Sequence, residues 1–376
     1  MGENKLLNFT STQILDFMND GVYVTDRERR IVYWNKTAER LIGWSSAEIV
    51  GHSCYDNLLC HEDKDGHQLC GKEHCPLHRS MVTNSSSTVP VIVFARCKDG
   101  GQIPLQVSVA PITDENGTVI GGVETFRDMT VFMKDLKRAK NIQEQSLRLP
   151  NEDDPRISFT AYYVPFDMVG GDYYTVEKLD DHRYVFILAD VMGHGIPAAL
   201  YTMHLHGLWN ECRHLFASPA EFMAETNRRL CSLAEDGDTF ATGVFGLVDL
   251  EKQEVRFSNA AGPSLVVRRH NGGWESFESP GFPLGLMKNM DYAETVIALN
   301  RGDSLLCFTD GAIEVRDQEL NELGLAGFMN LLKKMDFPRS GDDMEQIEEK
   351  LLQYSNSIRL EDDLTMLAIH LANVGT

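Results

Sequence analysis

Four aspartate sites stand where apolar runs give way to turns. The first is Val169-Gly170-Gly171-Asp172-Tyr173-Tyr174, in which two glycines let the backbone turn tightly before the acid. The second is Asp190, reached through Phe186-Ile187-Leu188-Ala189 and followed by Val191-Met192-Gly193-His194-Gly195. Pro197 then suits the first turn of a helix. The third is Leu305-Leu306-Cys307-Phe308-Thr309-Asp310-Gly311, and the fourth is Glu361-Asp362-Asp363-Leu364-Thr365. Any one of these acids reads as an ordinary turn residue, because Asp and Gly favour turns for local reasons. The set reads differently, because strands can deliver such side chains to one shared sheet edge. Carboxylates brought close repel and raise each other's pKa. Divalent cations remove that conflict, and oxygen-only ligands favour Mg²⁺ or Mn²⁺ with water completing the shell. Two such ions ~3.5–4 Å apart can activate a water and stabilise in-line attack on phosphorus.

The elements that must position these acids follow from hydrophobic patterning. Strands are predicted at Ile157–Val164, Tyr184–Ala189, Gly243–Asp249, Glu254–Ser258, Leu265–Arg269, Ser304–Thr309 and Leu364–Leu371. Helices are predicted at 197–215, 219–234 and 344–355. Many antiparallel strands with a few long helices predict an α+β fold over residues 151–376. Ahead of it, residues 11–130 read as a smaller α/β unit with strands at 21–26, 30–35, 89–96, 103–112 and 119–127. Residues 131–150 read as a linking helix and candidate coiled coil. Phe132, Leu136 and Ala139 follow a heptad seam, but Gln143 and Ser146 take its next positions.

These acid motifs, in this order, resemble the PPM family of metal-dependent protein phosphatases, especially the branch of the stage II sporulation protein E. The resemblance implies an αββα sandwich and hydrolysis of a phosphoserine or phosphothreonine protein. It also implies two Mn²⁺ or Mg²⁺ ions, with Asp190 bridging both and the Val191 carbonyl and Asp172 on one side. Asp310 and Asp362 would hold the other ion, and Asp363 is the neighbouring candidate. Where relatives carry Gly or Ser, this chain has Val191 and Met192, a change that a backbone carbonyl ligand tolerates. The phosphoprotein implied is an antagonist of an anti-sigma factor in a partner-switching pathway. His194 invites a general-acid role, against the plainer one of a hydrogen-bonded turn histidine.

The N-terminal unit resembles a PAS domain through Asp26, Trp34-Asn35, Glu48-Ile49-Val50-Gly51 and the closing Phe126-Arg127-Asp128-Met129-Thr130. Sensor control of the phosphatase and a homodimer are what that resemblance implies. Within it, residues 52–78 form a Cys/His-rich insert holding Cys54, Cys60, Cys70 and Cys75. Soft and imidazole ligands suit zinc or an iron–sulfur cluster. The close Cys-x-x-Cys pairs of common zinc sites are missing. A thiol redox switch and plain reduced thiols stay open beside the metal.

The bulk numbers limit the alternatives. Hydrophobic residues at 43% and charged residues at 24% argue against disorder. A net charge of −21 disfavours nucleic acid as a partner. No apolar run of membrane-spanning length is visible, so a cytoplasmic protein without a membrane partner is expected. No cysteine is followed six residues later by arginine, which disfavours a cysteine-dependent phosphatase. Gly170-Gly171-Asp172 is followed by Tyr173-Tyr174 instead of the acid and aromatic pair of a diguanylate cyclase. The rival from another class is a catalytically silent scaffold that binds a phosphoprotein.

Overall fold

The computed structural model describes residues 9–56, 58–63, 66–70, 74–87, 91–151, 154–232, 239–335, 337–338 and 340–373. Parts of the Cys/His-rich insert, the start of the strand expected at 89 and the end of the helix expected at 219–234 lie outside them. The chain divides into two units, Met1–Asp135 and Leu136–Thr376.

The first unit contains helix α1 (Ser11–Asp16), strands β1 (Gly21–Asp26) and β2 (Ile31–Trp34), and helices α2 (Lys36–Ile42), α3 (Ser46–Ile49) and α4 (Pro76–Thr83). Strands β3 (Val91–Arg96), β4 (Gln102–Thr113) and β5 (Val119–Asp128) complete an antiparallel sheet in the order β2-β1-β5-β4-β3. Tyr23, Trp34 and Phe126 pack together in its core, with ring centroids 5.7 to 6.4 Å apart. Asn35 explains the Trp34-Asn35 motif. It is fully buried and closes four hydrogen bonds. Its Oδ1 accepts from the Val22 and Ala38 amides, and its Nδ2 donates to the Leu15 and Asp20 carbonyls. One side chain thus caps α2 and fixes the entry to β1. The closing Asp128-Met129-Thr130 motif has an equally local cause: the Asp128 carboxylate accepts the Thr130 amide, the first of helix α5 (Thr130–Ser146).

The second unit is two five-stranded antiparallel sheets. Its elements, in chain order, begin with β6 (Ile157–Val164), β7 (Asp172–Lys178), β8 (Arg183–Val191), α6 (Ile196–Glu211) and α7 (Pro219–Leu230). There follow β9 (Ala241–Asp249), β10 (Glu254–Ala260), β11 (Leu265–Arg268), β12 (Trp274–Phe277), β13 (Thr295–Ala298) and β14 (Ser304–Phe308). Helices α8 (Gly324–Leu332) and α9 (Gly341–Ser355) lead to the last strand, β15 (Leu364–Leu371). One sheet runs β13-β10-β9-β8-β7 and the other β12-β11-β14-β15-β6. Apolar side chains from both, among them Phe186, Val244, Phe257, Val267, Leu305 and Leu367, fill the layer between them. Helices α6 and α7 cover the outer face of the first sheet through Leu205, Trp209 and Phe222. Helices α8 and α9 cover the second through Phe328, Met344 and Ile347. This is the αββα sandwich, and strands in it are buried on both faces, which is why β8 and β14 read as continuous apolar runs.

Strand β7 and the short strands β12 and β13 escaped the sequence reading. Asp172-Tyr173-Tyr174-Thr175 has no clean alternation, and β12 and β13 are each four residues long at sheet edges. The helix expected at 197–215 ends at Glu211, and a 3₁₀ turn covers Arg213–Leu215.

Replacing Asn35 by Ala leaves two buried donors and two carbonyls without partners, at a cost of about 1–3 kcal/mol. Hydrogen-exchange mass spectrometry of Asn35→Ala should show faster exchange across β1. Unchanged protection there would contradict the role given to this side chain.

Candidate active site

The register of the first sheet brings two of the acids face to face, for Asp172 on β7 pairs directly with Asp190 on β8. Asp310 follows β14 in the second sheet, close enough that its charge raises the Asp190 carboxyl. Asp362 and Asp363 open β15, which lies beside β14. The two sheets therefore deliver acids from four segments to one place. Burial, then the charges of Asp172 and Asp310, push the Asp190 carboxyl well above its ordinary value. Burial and Asp363 do the same to the deeply buried Asp172, and burial followed by Asp310 raises Asp362.

The framework around the acids holds some of their oxygens and leaves others free. Asp172 Oδ2 accepts hydrogen bonds from Thr309 Oγ1 at 3.0 Å and Thr365 Oγ1 at 2.5 Å. Its Oδ1 is buried without a partner, and so is Asp310 Oδ1. A buried carboxylate oxygen with no donor is costly. Asp363 is different, since both of its oxygens are engaged. Oδ1 accepts the Phe166 amide at 2.6 Å and Oδ2 the Gly171 amide at 2.5 Å. It pins the loop that precedes Asp172, while Asp362 beside it is exposed, with its Oδ1 on the Asp363 amide. Two glycines are required by close approach. A Cβ on Gly171 would stand 2.7 Å from the Val191 carbonyl oxygen, and one on Gly311 would stand 2.0 Å from that of Asp363.

His194 lies at this edge with its side chain more than half exposed, Nδ1 2.9 Å from Asp167 Oδ2 and its ring against Phe166. That is the hydrogen-bonded turn histidine of the plainer reading. Thr309, Thr365 and Gln143 had no assigned role in the sequence. The two threonines sit inside the motifs that carry Asp310 and Asp362, and that position was their only signal. Gln143 interrupts the apolar seam of α5, and the structure shows why. It is buried, its Nε2 donates to the Gly170 carbonyl at 2.7 Å and to Thr202 Oγ1 at 2.9 Å, and its Oε1 accepts the Gly170 amide.

Among the described residues, no three His, Cys, Asp or Glu side chains already stand in a metal-ligand arrangement. At the acids the donor set nevertheless fits divalent cations. Two buried oxygens lack partners, and crowded like charges need either protons or cations to coexist. Cys54, Cys60 and Cys75 are buried, Cys70 is half-buried, and none is in a disulfide. The His61 amide donates to Cys70 Sγ at 3.1 Å. Burial pushes the Cys70 thiol up to about 12 and raises Cys54 and Cys75 as well. Beside them lies a sealed acid: Glu124, lifted to about 8 by burial, accepts the Tyr23 hydroxyl and has Oε1 3.8 Å from His61 Nε2. His61 belongs to the Cys/His-rich insert already marked in the sequence, whereas Glu124 and Tyr23 carried nothing that set them apart from ordinary core positions.

A PAS-type sheet and an αββα sandwich with acids gathered at the edge of both its sheets define a PAS unit joined to a PP2C-like fold. A family model for the stage II sporulation protein E (SpoIIE) matches residues 180–372, and one for the PAS domain matches residues 19–131. The chain belongs to the SpoIIE family. It is 29% identical to the phosphoserine phosphatase RsbP of Bacillus subtilis over 48% of its own length and 45% of RsbP's. It is 22% identical to the phosphoserine phosphatase RsbU of the same organism, over 86% of its length and 93% of RsbU's. Among solved structures, the SiaA PP2C domain of Pseudomonas aeruginosa shares the fold with a TM-score of 0.57 and 22% identity, covering 65% of this chain and 98% of that one. Among the described residues no helix is long and apolar enough to cross a membrane.

A carboxyl whose pKa is raised by folding keeps its proton in the native state at a pH where the unfolded chain has lost it. Its contribution to stability is therefore full below about pH 4 and declines as pH rises towards the folded value. In the presence of EDTA the urea midpoint should fall as pH is raised from about 5 to 8, and Asp190→Asn should flatten that slope. Mn²⁺ should restore the midpoint at the higher pH. An Asp190→Asn slope equal to wild type would remove Asp190 from the set of strained acids.

Proposed function

We propose that this protein hydrolyses a phosphoserine or phosphothreonine ester on a partner protein at the acid cluster, under control of its PAS unit. The observation that carries this reading is the convergence of Asp172, Asp190, Asp310 and Asp362 with two buried carboxylate oxygens left without partners. Asp190, with the Val191 carbonyl and Asp172 on one side and Asp310 and Asp362 on the other, would hold two Mn²⁺ or Mg²⁺ ions. Bound there, the ions would supply an activated water and offset the charge on the phosphoryl group. The chain's own work is positional. Thr309 and Thr365 aim the free Asp172 oxygen, Asp363 and Gly171 hold the loop behind it, and Asp167 orients His194.

The names of the relatives support the substrate class: RsbP and RsbU are phosphoserine phosphatases. The phosphoprotein in this reading is an antagonist of an anti-sigma factor in a partner-switching pathway. Val131, Phe132 and Ile142 are apolar and exposed on α5, which supports a homodimer formed through that helix. Control by the sensor would act through Gln143, because it grips the loop that carries Asp172.

Hydrolysis of p-nitrophenyl phosphate by the purified chain should be lost in EDTA and return with Mn²⁺ or Mg²⁺. Asp190→Asn should lower it by at least a hundredfold; undiminished turnover in that variant would sink the site assignment. Gln143→Ala should release Gly170 and lower kcat several-fold, with added Mn²⁺ recovering part of the loss. Full activity at limiting Mn²⁺ would show that the linker helix has no hold on the site.

A further inference from the structure

A cleft of about 180 Å³ opens beside the acid cluster, and Gly311, Asp362, Glu314, Arg316 and Arg359 are among its lining residues. Its two arginines are in different states. Arg316 is committed to Glu322, with Nη2 at 2.7 Å and Nε at 3.3 Å from the same oxygen. Arg359 is exposed, and among the described residues it forms no ion pair. Unlike Arg127, Arg156, Arg183, Arg229 and Arg269, which each bind a carboxylate, it has no carboxylate partner among the described residues. Instead, its guanidinium lies 5.1 Å from the centre of the Phe166 ring. Phe166 is itself fixed, because its amide is bound by Asp363 and its ring meets His194. The stack therefore holds a free cationic fork against the wall of the acid site.

Charge balance supplies the need for such a group. Asp172, Asp190, Asp310, Asp362 and Asp363 outnumber the positive charge that two divalent ions bring. A phosphomonoester dianion arriving there meets residual negative charge, and Glu314 and Glu361 add to it at the cleft. An arginine with unsatisfied donors matches phosphoryl oxygens two at a time.

We propose that this cleft is the phosphoryl-side subsite of the enzyme and that Arg359, stacked on Phe166, is a substrate-binding residue that takes the phosphate oxygens of the phosphomonoester. The proposal rests on the phosphatase reading above and adds a residue that belongs to none of the acid motifs. The guanidinium remains protonated throughout and forms no covalent bond, so its effect falls on binding of substrate and of the phosphate product.

The test is calorimetric titration of inorganic phosphate into the full chain with saturating Mn²⁺, for wild type, Arg359→Ala and Arg359→Lys. The same samples are assayed with p-nitrophenyl phosphate. Arg359→Ala should weaken phosphate binding about tenfold, equivalent to about 1.4 kcal/mol, and raise KM more than it lowers kcat. Arg359→Lys should fall between, since it keeps the charge and loses the fork. An unchanged thermal transition in both variants excludes misfolding as the cause. Phosphate affinity and KM equal to wild type in Arg359→Ala would overturn the proposal while turnover keeps the phosphatase reading intact. Failure of the wild-type chain to bind phosphate would overturn it too, and the turnover of the same sample then judges the phosphatase reading separately.

Discussion

Repulsion between carboxylates is the constraint around which the C-terminal unit is arranged. Pairing of β7 with β8 sets Asp172 against Asp190, and the second sheet brings Asp310 near enough for its charge to raise both. Removing such charges from water costs several kcal/mol each when nothing compensates. A sequence free to relax would separate them. The sandwich prevents this, because its strands are locked by apolar packing on both faces and by long antiparallel ladders. The core thus holds together a set of groups that is unfavourable until cations or protons arrive.

The polar residues nearest the acids divide the work between fixing and freeing oxygens. Two threonine hydroxyls converge on one oxygen of Asp172 and leave the other bare. Asp363 spends both oxygens on backbone amides, so the adjacent Asp362 is the member of that pair with capacity to spare. Gln143 works from the opposite side, gripping both polar groups of the Gly170 peptide from the last turn of α5. The residue that spoils an ideal coiled-coil seam is thereby the one that ties helix α5 to the loop before Asp172.

The sensor core follows a different logic. Burial raises the Cys54, Cys70 and Cys75 thiols and Glu124, the last to about 8, and lowers His61 to about 4. Neutral groups can coexist in an apolar core without cations. Cys54, Cys60, Cys75 and His61 of the insert are therefore core residues here, whereas aspartates from four segments of the C-terminal unit gather at one sheet edge.

Much of this was legible in the residues alone. The apolar runs ending in Asp190 and Asp310 announce strands buried on both faces, and the Gly-Gly-Asp turn announces an acid held near the backbone. Those are local properties, set by hydrophobicity and by glycine's lack of a Cβ, so the sequence determines them. Strand β7 hid because its tyrosines and threonine point into environments that no alternation marks. The tertiary structure decided which oxygens are satisfied, which of Asp362 and Asp363 is free, what Gln143 touches and that Arg359 stands unpaired on Phe166. Each of these depends on contacts between residues far apart in the chain, and no spacing in a sequence encodes a distance that only packing fixes.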